Sequence, residues 1–445
     1  MSTESDDPVT DELTPDQFEH ADTTGHWRVL SHGACALFRT GTPGAGAVLL
    51  EDVAVLADAA NHHPDVDLRP DGVVVRCVSH DVGGLSRRDV ALAQDVSAAA
   101  DRLGLTADPA ALQDVELTID ATDRERIMPF WAVVLGHERA GDEDLLDPDA
   151  RWPGIWFQQM DEPRPLRNRL HLDVFVPHDD RPARVEAALA AGGRLTTEEF
   201  VPQWWTLADP EGNEADVEAW EGFTDELPEG LVSPDAFRAA DGVEDWRVLQ
   251  GACARYRTGR FHTGVDLAAS AQRIADDAGV RLSTDLRFGH VTFRVGAPED
   301  GWIDDAALAV ARRIQAAARA ADLEPDPRAL RDVQLTFDAL DVAAVQRFWA
   351  AALGYTTRED TDLFDPLLRG PAVFIQPMAE PREQRNRIHV DAFVPADVAD
   401  ERVAAAVAAG GRVVRDAEAP LWRTVADPEG NEIDIAVSIG REDHE

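Results

Sequence analysis

Hydrophobic and polar positions follow helical and extended patterns in turn along the first hundred residues. Apolar residues recur at helical spacing over 48–60, and the run GVVVRCVSH at 72–80 is β-rich. An amphipathic stretch over 87–103 ends before Gly104, and glycine is common where helices stop. This order of patterns predicts a small α+β domain over 24–108, which we call domain A.

A different pattern follows the proline-bearing joint at 106–112. Strand patterns alternate with the helix ERIMPFWAVVLG at 125–136 and the helix ARVEAALAAGG at 183–193, and a strand pair is predicted around 204–220. This order predicts two successive βα…β units, whose short strands are separated by residues typical of turns. It predicts a second domain over 112–222, domain B.

The whole A–B unit is duplicated. NRLHLDVFVP at 168–177 recurs as NRIHVDAFVP at 386–395, 218 residues later. LADPEGNEADV at 207–217 recurs as VADPEGNEIDI at 425–435 with the same displacement. Self-similarity at a fixed period indicates repeated structural units. The chain is therefore predicted to read A–B–A′–B′, with an acidic N-terminal tail at 1–23, a linker at 223–242, domain A′ at 243–326 and domain B′ at 330–440.

Composition narrows the functional classes. The 445 residues include 42 basic residues, all arginine, against 84 acidic ones, for a formal net charge of −42. Such a chain is not expected to bind nucleic acid or an anionic membrane, and no apolar run approaches the roughly 20 residues of a bilayer span. The polar, acidic N-terminus does not resemble a secretory signal. Three cysteines without CxxC spacing indicate reduced thiols and predict a cytoplasmic protein.

Histidines cluster in domain A. His62 and His63 stand in the sequence NHHPD, His80 follows a predicted strand, and Asp89 lies near the start of the next helix. Imidazole has an ordinary pKa of about 6.5, so one ring can donate a proton while another accepts one. This suits an elimination that needs both a general acid and a general base. The structural alternative is solvated or core histidines, with Asp89 paired to a neighbouring arginine.

These motifs resemble pterin-4a-carbinolamine dehydratase, the enzyme that dehydrates 4a-hydroxytetrahydrobiopterin. The resemblance rests on NHHP at 61–64 and SHDVGGLSRRDVALA at 79–93. It implies that His62 and His80 act as acid and base, that His63 helps to bind the pterin and that Asp89 supports the site. It implies no metal or organic cofactor for this reaction.

The chain departs from that family in two ways. Aromatic residues are usual in the family where this sequence has Val66 and Pro70. Domain A′ has in addition lost all four polar side chains of the site, so we expect it to serve as a packing partner in an internal pseudo-dimer, with further oligomers left open. The A′ counterparts of His62, His63, His80 and Asp89 are Val280, Arg281, Pro298 and Ala307.

Domains B and B′ resemble the glyoxalase/bleomycin-resistance/dioxygenase group, the vicinal oxygen chelate (VOC) superfamily. The resemblance rests on the spacing D-x6-FW-x3-LG, the strand NR-x-H-x-D and the turn DPEGNE. It implies a paired-module βαβββ barrel in each domain, whose ligands suit a divalent ion such as zinc, manganese, nickel or iron. By position the ligands would be Glu116, Gln158, His171 and Asp216 in B, and Gln334, Gln376, His389 and Asp434 in B′.

Two readings of function remain open from the sequence. In the first, the protein is a hydro-lyase acting on a 4a-hydroxytetrahydropterin, and the B domains bind a second small molecule. In the second, the barrels bind or sequester a small molecule without catalysis, or act as a metal-dependent isomerase or dioxygenase. The NR-x-H-x-D strand also has a structural reading, in which His171 and Asp173 bond to Arg169 and to the backbone. Retention of NHHP and SHD in A, when A′ has lost both, favours an active A.

Overall fold

The structure is a computed structural model of the protein, and it describes residues 11–220, 227, 229–296, 302–358 and 361–440. The same series of elements occurs twice along the chain, as the repeat predicts. Helices and runs of consecutive strands occur together in every domain, which confirms the α+β class. The two copies are interleaved in space, because strands of one copy pair with strands of the other.

Domain A is an antiparallel sheet of four main strands with two long helices on one face. Val53 and Val96, on the apolar sides of those helices, pack with Val75 of the sheet in one core. The elements of the domain are β1 (Glu12–Leu13), α1 (Pro15–Ala21), β2 (Trp27–Leu30), β3 (Gly33–Arg39), α2 (Pro43–Ala60), β4 (Asp65–Arg69), β5 (Gly72–Cys77), β6 (Leu85–Ser86), α3 (Arg87–Arg102) and β7 (Thr106–Ala107), followed by a 3₁₀ turn (Pro109–Ala111).

The predicted N-terminal tail at 1–23 is wrong in its second half, because β1 and α1 belong to domain A. Thr14 and Gln17 form a capping box, in which each side chain accepts a hydrogen bond from the amide of the other. Phe18 on this helix is fully buried in the domain A core. Leu13 packs against the same core, and β1 pairs with β6, so several contacts dock this segment.

The predicted linker at 223–242 carries the equivalent elements of A′. Phe237 is 1% exposed and occupies the place of Phe18. Domain A′ contains β16 (Leu231–Val232), α6 (Pro234–Arg238), β17 (Arg247–Leu249), β18 (Gly251–Arg257), α7 (Phe261–Ala278), β19 (Leu282–Arg287), β20 (His290–Val295), β21 (Ile303–Asp304), α8 (Asp305–Ala320) and β22 (Glu324–Pro325), then a 3₁₀ turn (Pro327–Ala329).

Domains A and A′ share one ten-stranded sheet. Strands β4 and β19 pair antiparallel at its centre, with Val66 opposite Leu286 and Leu68 opposite Thr284. Helices α2 and α7 lie side by side across this junction, and one apolar cluster runs through both domains. The two domains therefore form the predicted internal pseudo-dimer.

Each B domain consists of two βαβββ modules. In B the first module is β8 (Asp114–Ala121), α4 (Arg124–Leu135), β9 (Glu138–Ala140), β10 (Asp144–Leu146) and β11 (Ile155–Gln159). Its second module is β12 (Leu170–Phe175), α5 (Arg181–Ala190), β13 (Arg194–Leu195), β14 (Trp204–Ala208) and β15 (Glu214–Glu218). In B′ the corresponding elements are β23 (Asp332–Ala339), α9 (Val342–Leu353), β24 (Thr356–Arg358), β25 (Asp362–Phe364), β26 (Ala372–Pro377), β27 (Ile388–Phe393), α10 (Ala399–Ala408), β28 (Arg412–Arg415), β29 (Trp422–Ala426) and β30 (Glu432–Ala436).

The modules pair across the two domains and not within each one. Strand β8 pairs antiparallel with β27, with Glu116 opposite Asp391, and β12 pairs with β23, with Asp173 opposite Gln334. The first eight-stranded sheet thus joins the first module of B to the second module of B′, and the second sheet joins the remaining two. We call them sheet I and sheet II. The predicted pairing of modules inside one domain is corrected accordingly.

Reciprocal hydrogen bonds stabilise this pairing of modules between B and B′. The Arg387 amide donates to Asn168 Oδ1, and the Arg169 amide donates to Asn386 Oδ1, each over 2.9 Å. The Arg387 guanidinium, 1% exposed as a residue, also donates to Asn213 Oδ1 over 2.7 Å. The repeated Asn-Arg pair of each copy is therefore anchored in the other copy.

Two further observations concern the predicted setting of the protein. In the part of the chain that the structure describes, no helix is both long and apolar enough to cross a membrane. The three cysteines, Cys35, Cys77 and Cys253, are buried and unpaired. A cytoplasmic location remains a prediction.

Candidate acid–base site and candidate metal centres

His62 lies where helix α2 turns into strand β4. Asn61 ends the helix in the left-handed conformation, with φ of 48°, which asparagine tolerates better than most residues. The His62 amide still donates to the Ala57 carbonyl over 3.0 Å. Pro64 favours extended backbone at His63 before it. The sequence NHHP therefore fixes both histidines at the C-terminal end of α2.

A buried carboxylate, Asp89, pairs with His62. The distance from His62 Nε2 to Asp89 Oδ1 is 2.7 Å, and Asp89 is fully buried. Asp89 Oδ2 accepts hydrogen bonds from Ser79 Oγ over 2.6 Å and from the Ser86 amide over 2.7 Å. Because Ser86 caps α3 and Asp89 is the third residue of that helix, the helix start holds the carboxylate rigidly.

These contacts set the charge of Asp89. Burial alone would raise the pKa of its carboxyl group, but the hydrogen bonds from His62, Ser79 and Ser86 outweigh burial and lower the pKa. The carboxylate is thus ionised at neutral pH and is a charged hydrogen-bond acceptor facing His62 Nε2. Nδ1 of His62 is the ring nitrogen that does not face Asp89, so it is the atom suited to exchange a proton with a ligand.

His63 has different partners from His62. Its Nε2 lies 3.0 Å from Asp58 Oδ1 on helix α2. Its ring centroid is 5.3 Å from that of Phe261 and 4.9 Å from that of Phe288. Both phenylalanines belong to domain A′, so A′ reaches the histidine cluster of domain A.

His80 lies in the exposed turn that follows β5. The preceding residue, Ser79, pairs with Gly84 across this turn and donates its hydroxyl to Asp89. The chain segments that carry His62 and His80 therefore meet at the Asp89 carboxylate. The side chain of His63 turns instead to Asp58 and to domain A′.

Domain A′ has an apolar residue at the position of Asp89. Ala307 is 2% exposed, and its amide donates to Asp304 Oδ1 over 2.7 Å, so Asp304 alone caps helix α8. Val280 and Arg281 replace the two histidines that end α2. Pro298, the counterpart of His80, lies outside the described residues. The acid–base pair thus has no equivalent in A′.

The predicted metal ligands are divided between the two sheets. Glu116 and Gln158 lie on sheet I, together with His389 and Asp434 of the other domain. His171 and Asp216 lie on sheet II, with Gln334 and Gln376. The two predicted groupings, one within B and one within B′, are corrected, because the modules exchange partners.

Sheet II carries a cluster of His171, Asp173 and Asp216. His171 Nε2 lies 3.3 Å from Asp173 Oδ1 and 3.8 Å from Asp216 Oδ2. Burial opposes protonation of His171, but the charges of both carboxylates raise its pKa to about 9. Burial, with the neighbouring Asp173 charge, raises the pKa of Asp216 to about 6 in spite of His171.

Sheet I carries the corresponding cluster of His389, Asp391 and Asp434. His389 Nε2 lies 3.7 Å from Asp391 Oδ1 and 4.0 Å from Asp434 Oδ2. Thr118 of domain B donates to Asp391 Oδ2 over 2.5 Å. Burial and the Asp434 charge raise the pKa of Asp391 to about 7. Both clusters therefore hold carboxylates that lack full charge compensation.

The remaining predicted ligands contact groups beside these clusters. Glu116 Oε1 lies 3.3 Å from His32 Nε2 of domain A. Gln334 Nε2 donates to Asp173 Oδ2 over 3.1 Å. The two remaining glutamines lie on the equivalent strands β11 and β26, where Gln158 is half-buried and Gln376 donates to Asp338 Oδ1 over 2.7 Å.

Each cluster fits a divalent cation by its donor set. Imidazole nitrogen and carboxylate oxygen are ligands for zinc, manganese and iron. Oδ1 of Asp216 and Oδ1 of Asp434 are buried and accept no hydrogen bond, and a buried acceptor without a partner is costly. A cation bound between the three side chains would satisfy these oxygens.

Comparison with known proteins assigns the domains. The pterin 4 alpha carbinolamine dehydratase family matches residues 10–99. A protein of Chloroflexus aurantiacus named "Putative pterin-4-alpha-carbinolamine dehydratase" is 39% identical over 67 residues, which are 15% of this chain and 72% of that protein. The chain belongs to this dehydratase family. A protein of the same name from Mycobacterium tuberculosis H37Rv is 43% identical over 54 residues, 12% of this chain and 57% of that protein.

The dehydratase domain is accompanied by two glyoxalase-like domains, at 116–218 and 334–436. Among solved structures, glyoxalase I of Zea mays is similar with a TM-score of 0.36 and 10% identity, over 73% of this chain and 93% of that chain. A glyoxalase-related enzyme of Fulvimarina pelagi has a TM-score of 0.20 and 22% identity, over 23% of this chain and 85% of that chain.

The sequence identified the polar side chains of the dehydratase domain but missed several of their neighbours. Asp58, Phe261 and Phe288 were not predicted near His63, and Asp391 was not predicted as a ligand. Asp391 had a visible signal, since it lies two residues after His389 and so faces the same side of the strand. Nothing local to NHHP points to Phe261 or Phe288, because they come from the other copy.

Proposed function

We propose that the dehydratase domain removes water from a 4a-hydroxytetrahydropterin and yields the quinonoid dihydropterin. The observation that carries the proposal is the 2.7 Å contact between His62 Nε2 and a buried Asp89 carboxylate. A histidine held in this way keeps one ring nitrogen for proton transfer, and the adjacent carboxylate fixes the orientation of the ring. Domain A′ replaces Asp89 with Ala307, so the pair is not a requirement of the fold.

The reaction needs two proton transfers and no change of oxidation state. Protonated His62 gives a proton to the hydroxyl on C4a, the C4a–O bond breaks, and water leaves. His80 takes the proton from N5, whose electron pair forms the new C4a=N5 double bond. His62 ends neutral and His80 ends protonated, and exchange with solvent restores both. The exposed position of His80 favours this exchange.

A direct assay tests the proposal. The intact chain is mixed with 4a-hydroxytetrahydrobiopterin in a stopped-flow instrument, and formation of the quinonoid product is followed by absorbance. We expect a rate well above that of the uncatalysed dehydration in the same buffer. A rate equal to the buffer rate at all enzyme concentrations would contradict the proposal.

The glyoxalase-like sheets are proposed to bind a second small molecule at their polar faces, with a divalent metal. His171, Asp173 and Asp216 would hold the ion on sheet II, and the equivalent residues would hold it on sheet I. A bound divalent ion would act there as a Lewis acid on an oxygen of the ligand. The two clusters favour a metal-dependent isomerase or dioxygenase as the second candidate function over metal-free binding.

Metal analysis provides a prediction for these clusters. After reconstitution with zinc, manganese, nickel or iron and gel filtration, we expect up to two ions per chain by plasma mass spectrometry. His171→Ala and His389→Ala should each lose one ion, because each removes the imidazole of one cluster. The control is His20→Ala, at an exposed position on α1. Equal metal content in the parent chain and both variants would show that the clusters are not metal centres.

A further inference from the structure

Phe288 is an exposed aromatic residue beside the histidine cluster. It lies in the turn between β19 and β20 of A′ and is 55% exposed, whereas Phe261 beside it is 1% exposed. Its ring centroid lies 4.9 Å from that of His63, with the two planes tilted by 56°. Phe261 thus supports the histidine from the core, and Phe288 leaves an open apolar face next to it.

A second contact from A′ reaches the same place. His262, near the start of α7, has Nδ1 3.5 Å from Asp58 Oδ2. The other oxygen of Asp58 faces His63 Nε2. Two separate elements of A′, the start of α7 and the β19–β20 turn, therefore enclose His63.

The shared sheet explains this geometry. In the antiparallel pair of β4 and β19, Val66 lies opposite Leu286. His63 precedes that pair on one strand, and Phe288 follows it on the other, so both emerge at the same end of the junction. The pairing of A with A′ is thus what brings Phe288 to the site.

The two copies differ in complementary ways. Applying the 218-residue displacement, Phe288 corresponds to Pro70 and His262 corresponds to Gly44. The copy that keeps the histidines therefore offers no aromatic ring or imidazole at these positions to its neighbour. The copy that has lost the histidines provides both. Of the two pseudo-equivalent junctions, only one combines acid–base groups with an aromatic wall.

We propose that domain A′ forms one wall of the dehydratase site, with Phe288 as the surface against which the flat pterin ring packs. The inference rests on the proposed function, and it names the residue that would contact the pterin ring beside the histidines of domain A. A bicyclic heteroaromatic ring stacks favourably on an exposed phenyl face. Phenylalanine exchanges no proton, so Phe288 contributes to binding of the substrate and not to the proton transfers.

The variant Phe288→Ala tests the inference. The change is at a half-exposed side chain, so the fold should persist, which a thermal melt checks. We expect KM for 4a-hydroxytetrahydrobiopterin to rise roughly 5- to 20-fold, since loss of one stacking contact has about this effect, while kcat changes less than about threefold. The dissociation constant of dihydrobiopterin, measured by fluorescence titration, should rise in parallel. Phe288→Tyr should keep most of the affinity.

Pro70→Ala is the matched control, because it changes the pseudo-equivalent position at the other junction. It should leave KM, kcat and the dissociation constant as in the parent chain. If the parent chain turns over substrate and Phe288→Ala has an unchanged KM, the inference is wrong and the proposed function stands. If the parent chain neither turns over the substrate nor binds dihydrobiopterin, both are wrong. If the parent chain binds dihydrobiopterin without turning over the substrate, and Phe288→Ala binds it more weakly, the role of Phe288 in binding is supported and the dehydration proposal is rejected.

Discussion

Alanine at either His62 or His80 is expected to slow pterin dehydration by about 10²- to 10⁴-fold, the usual contribution of a general acid or base. Each variant removes one of the two groups that are proposed to move a proton, and neither side chain fills the apolar core. His80 is exposed, so its loss should change the thermal unfolding temperature little. His62→Ala leaves the buried Asp89 carboxylate without one hydrogen-bond partner and should lower that temperature, so its rate is measured below the onset of unfolding. The measurement is the stopped-flow rate of the intact variant chain at saturating substrate.

A matched control comes from the second copy. Arg281→His places an imidazole at the A′ position equivalent to His63, but Val280, Pro298 and Ala307 still stand at the other three positions of the site. We expect the dehydration rate of this variant to equal that of the parent chain. An unchanged rate in both His62→Ala and His80→Ala would remove these residues from the mechanism.

Asp89→Asn should affect both activity and stability. The uncharged amide cannot replace the carboxylate as the charged hydrogen-bond acceptor beside His62. Its NH₂ group or its oxygen must also face the Ser79 hydroxyl and the Ser86 amide, which both donate hydrogen bonds to the carboxylate. We expect a loss of about 1–3 kcal/mol in the free energy of unfolding, typical of a mismatched buried polar group. Denaturant titration measures this loss.

The pH dependence of the same variant has a definite sign. The pKa of Asp89 is lower in the folded protein than in the unfolded chain, so its ionised form stabilises the fold. This contribution is fully present above the unfolded pKa of about 3.9 and is lost as the pH falls through the folded value. Between neutral pH and this acid range, the stability of Asp89→Asn should therefore fall less steeply than that of the parent chain. Parallel curves would contradict this role of Asp89.

The second large effect is expected when the two halves are separated. In a fragment of residues 1–222, β4, β8 and β12 each lose one of their two strand partners, because β19, β27 and β23 lie in the other half. Three strand edges and the apolar faces beside them would then be exposed. The unpaired backbone groups of an exposed edge tend to pair with a strand of another chain. We expect this fragment to form a dimer and not a folded monomer, because β12 is similar in sequence to β27 and can pair with β8 of a second copy.

Light scattering after gel filtration measures this outcome. The fragment 1–222 should run at twice its own mass, or be recovered as aggregate, while the intact chain serves as the control for the complete set of strand pairs. Mixing it with the fragment 223–445 during refolding should give a one-to-one complex, because each half offers the strands that the other lacks. A monomeric 1–222 with a cooperative unfolding transition would contradict the interleaved arrangement.

Much of the dehydratase domain could be predicted from local sequence. Helix α2 follows the apolar spacing of 48–60, and it ends at Asn61 as the NHHP motif begins. Asp89 was predicted near the start of a helix, and there it could support a histidine. The sequence could not show that Ser79 and Ser86 would hold its second oxygen, because that contact joins a turn to a helix start across the fold.

At the candidate metal centres, the sequence repeat alone could not predict which modules pair with each other. Alternation along a strand places His171 and Asp173 on one face, yet only His171 was predicted as a ligand. The pairing of the modules was predicted wrongly, because β12 and β27 have similar sequences and either could pair with β8. Sequence similarity between copies cannot distinguish pairing within a copy from pairing between copies.

The sequence by itself determined the duplicated plan, the α+β elements, and the presence of the histidines and Asp89 in the first domain together with their loss from the second. The helices and strands can be recognised from the spacing of apolar residues, because within one element each residue interacts with near neighbours. The duplication and the lost side chains can be recognised by comparing the two copies. The tertiary structure decided which copy supplies each partner: Phe288 beside His63, and B′ strands beside those of B. Such contacts join residues about two hundred positions apart, and their choice depends on how whole sheets bury their edges and apolar faces together.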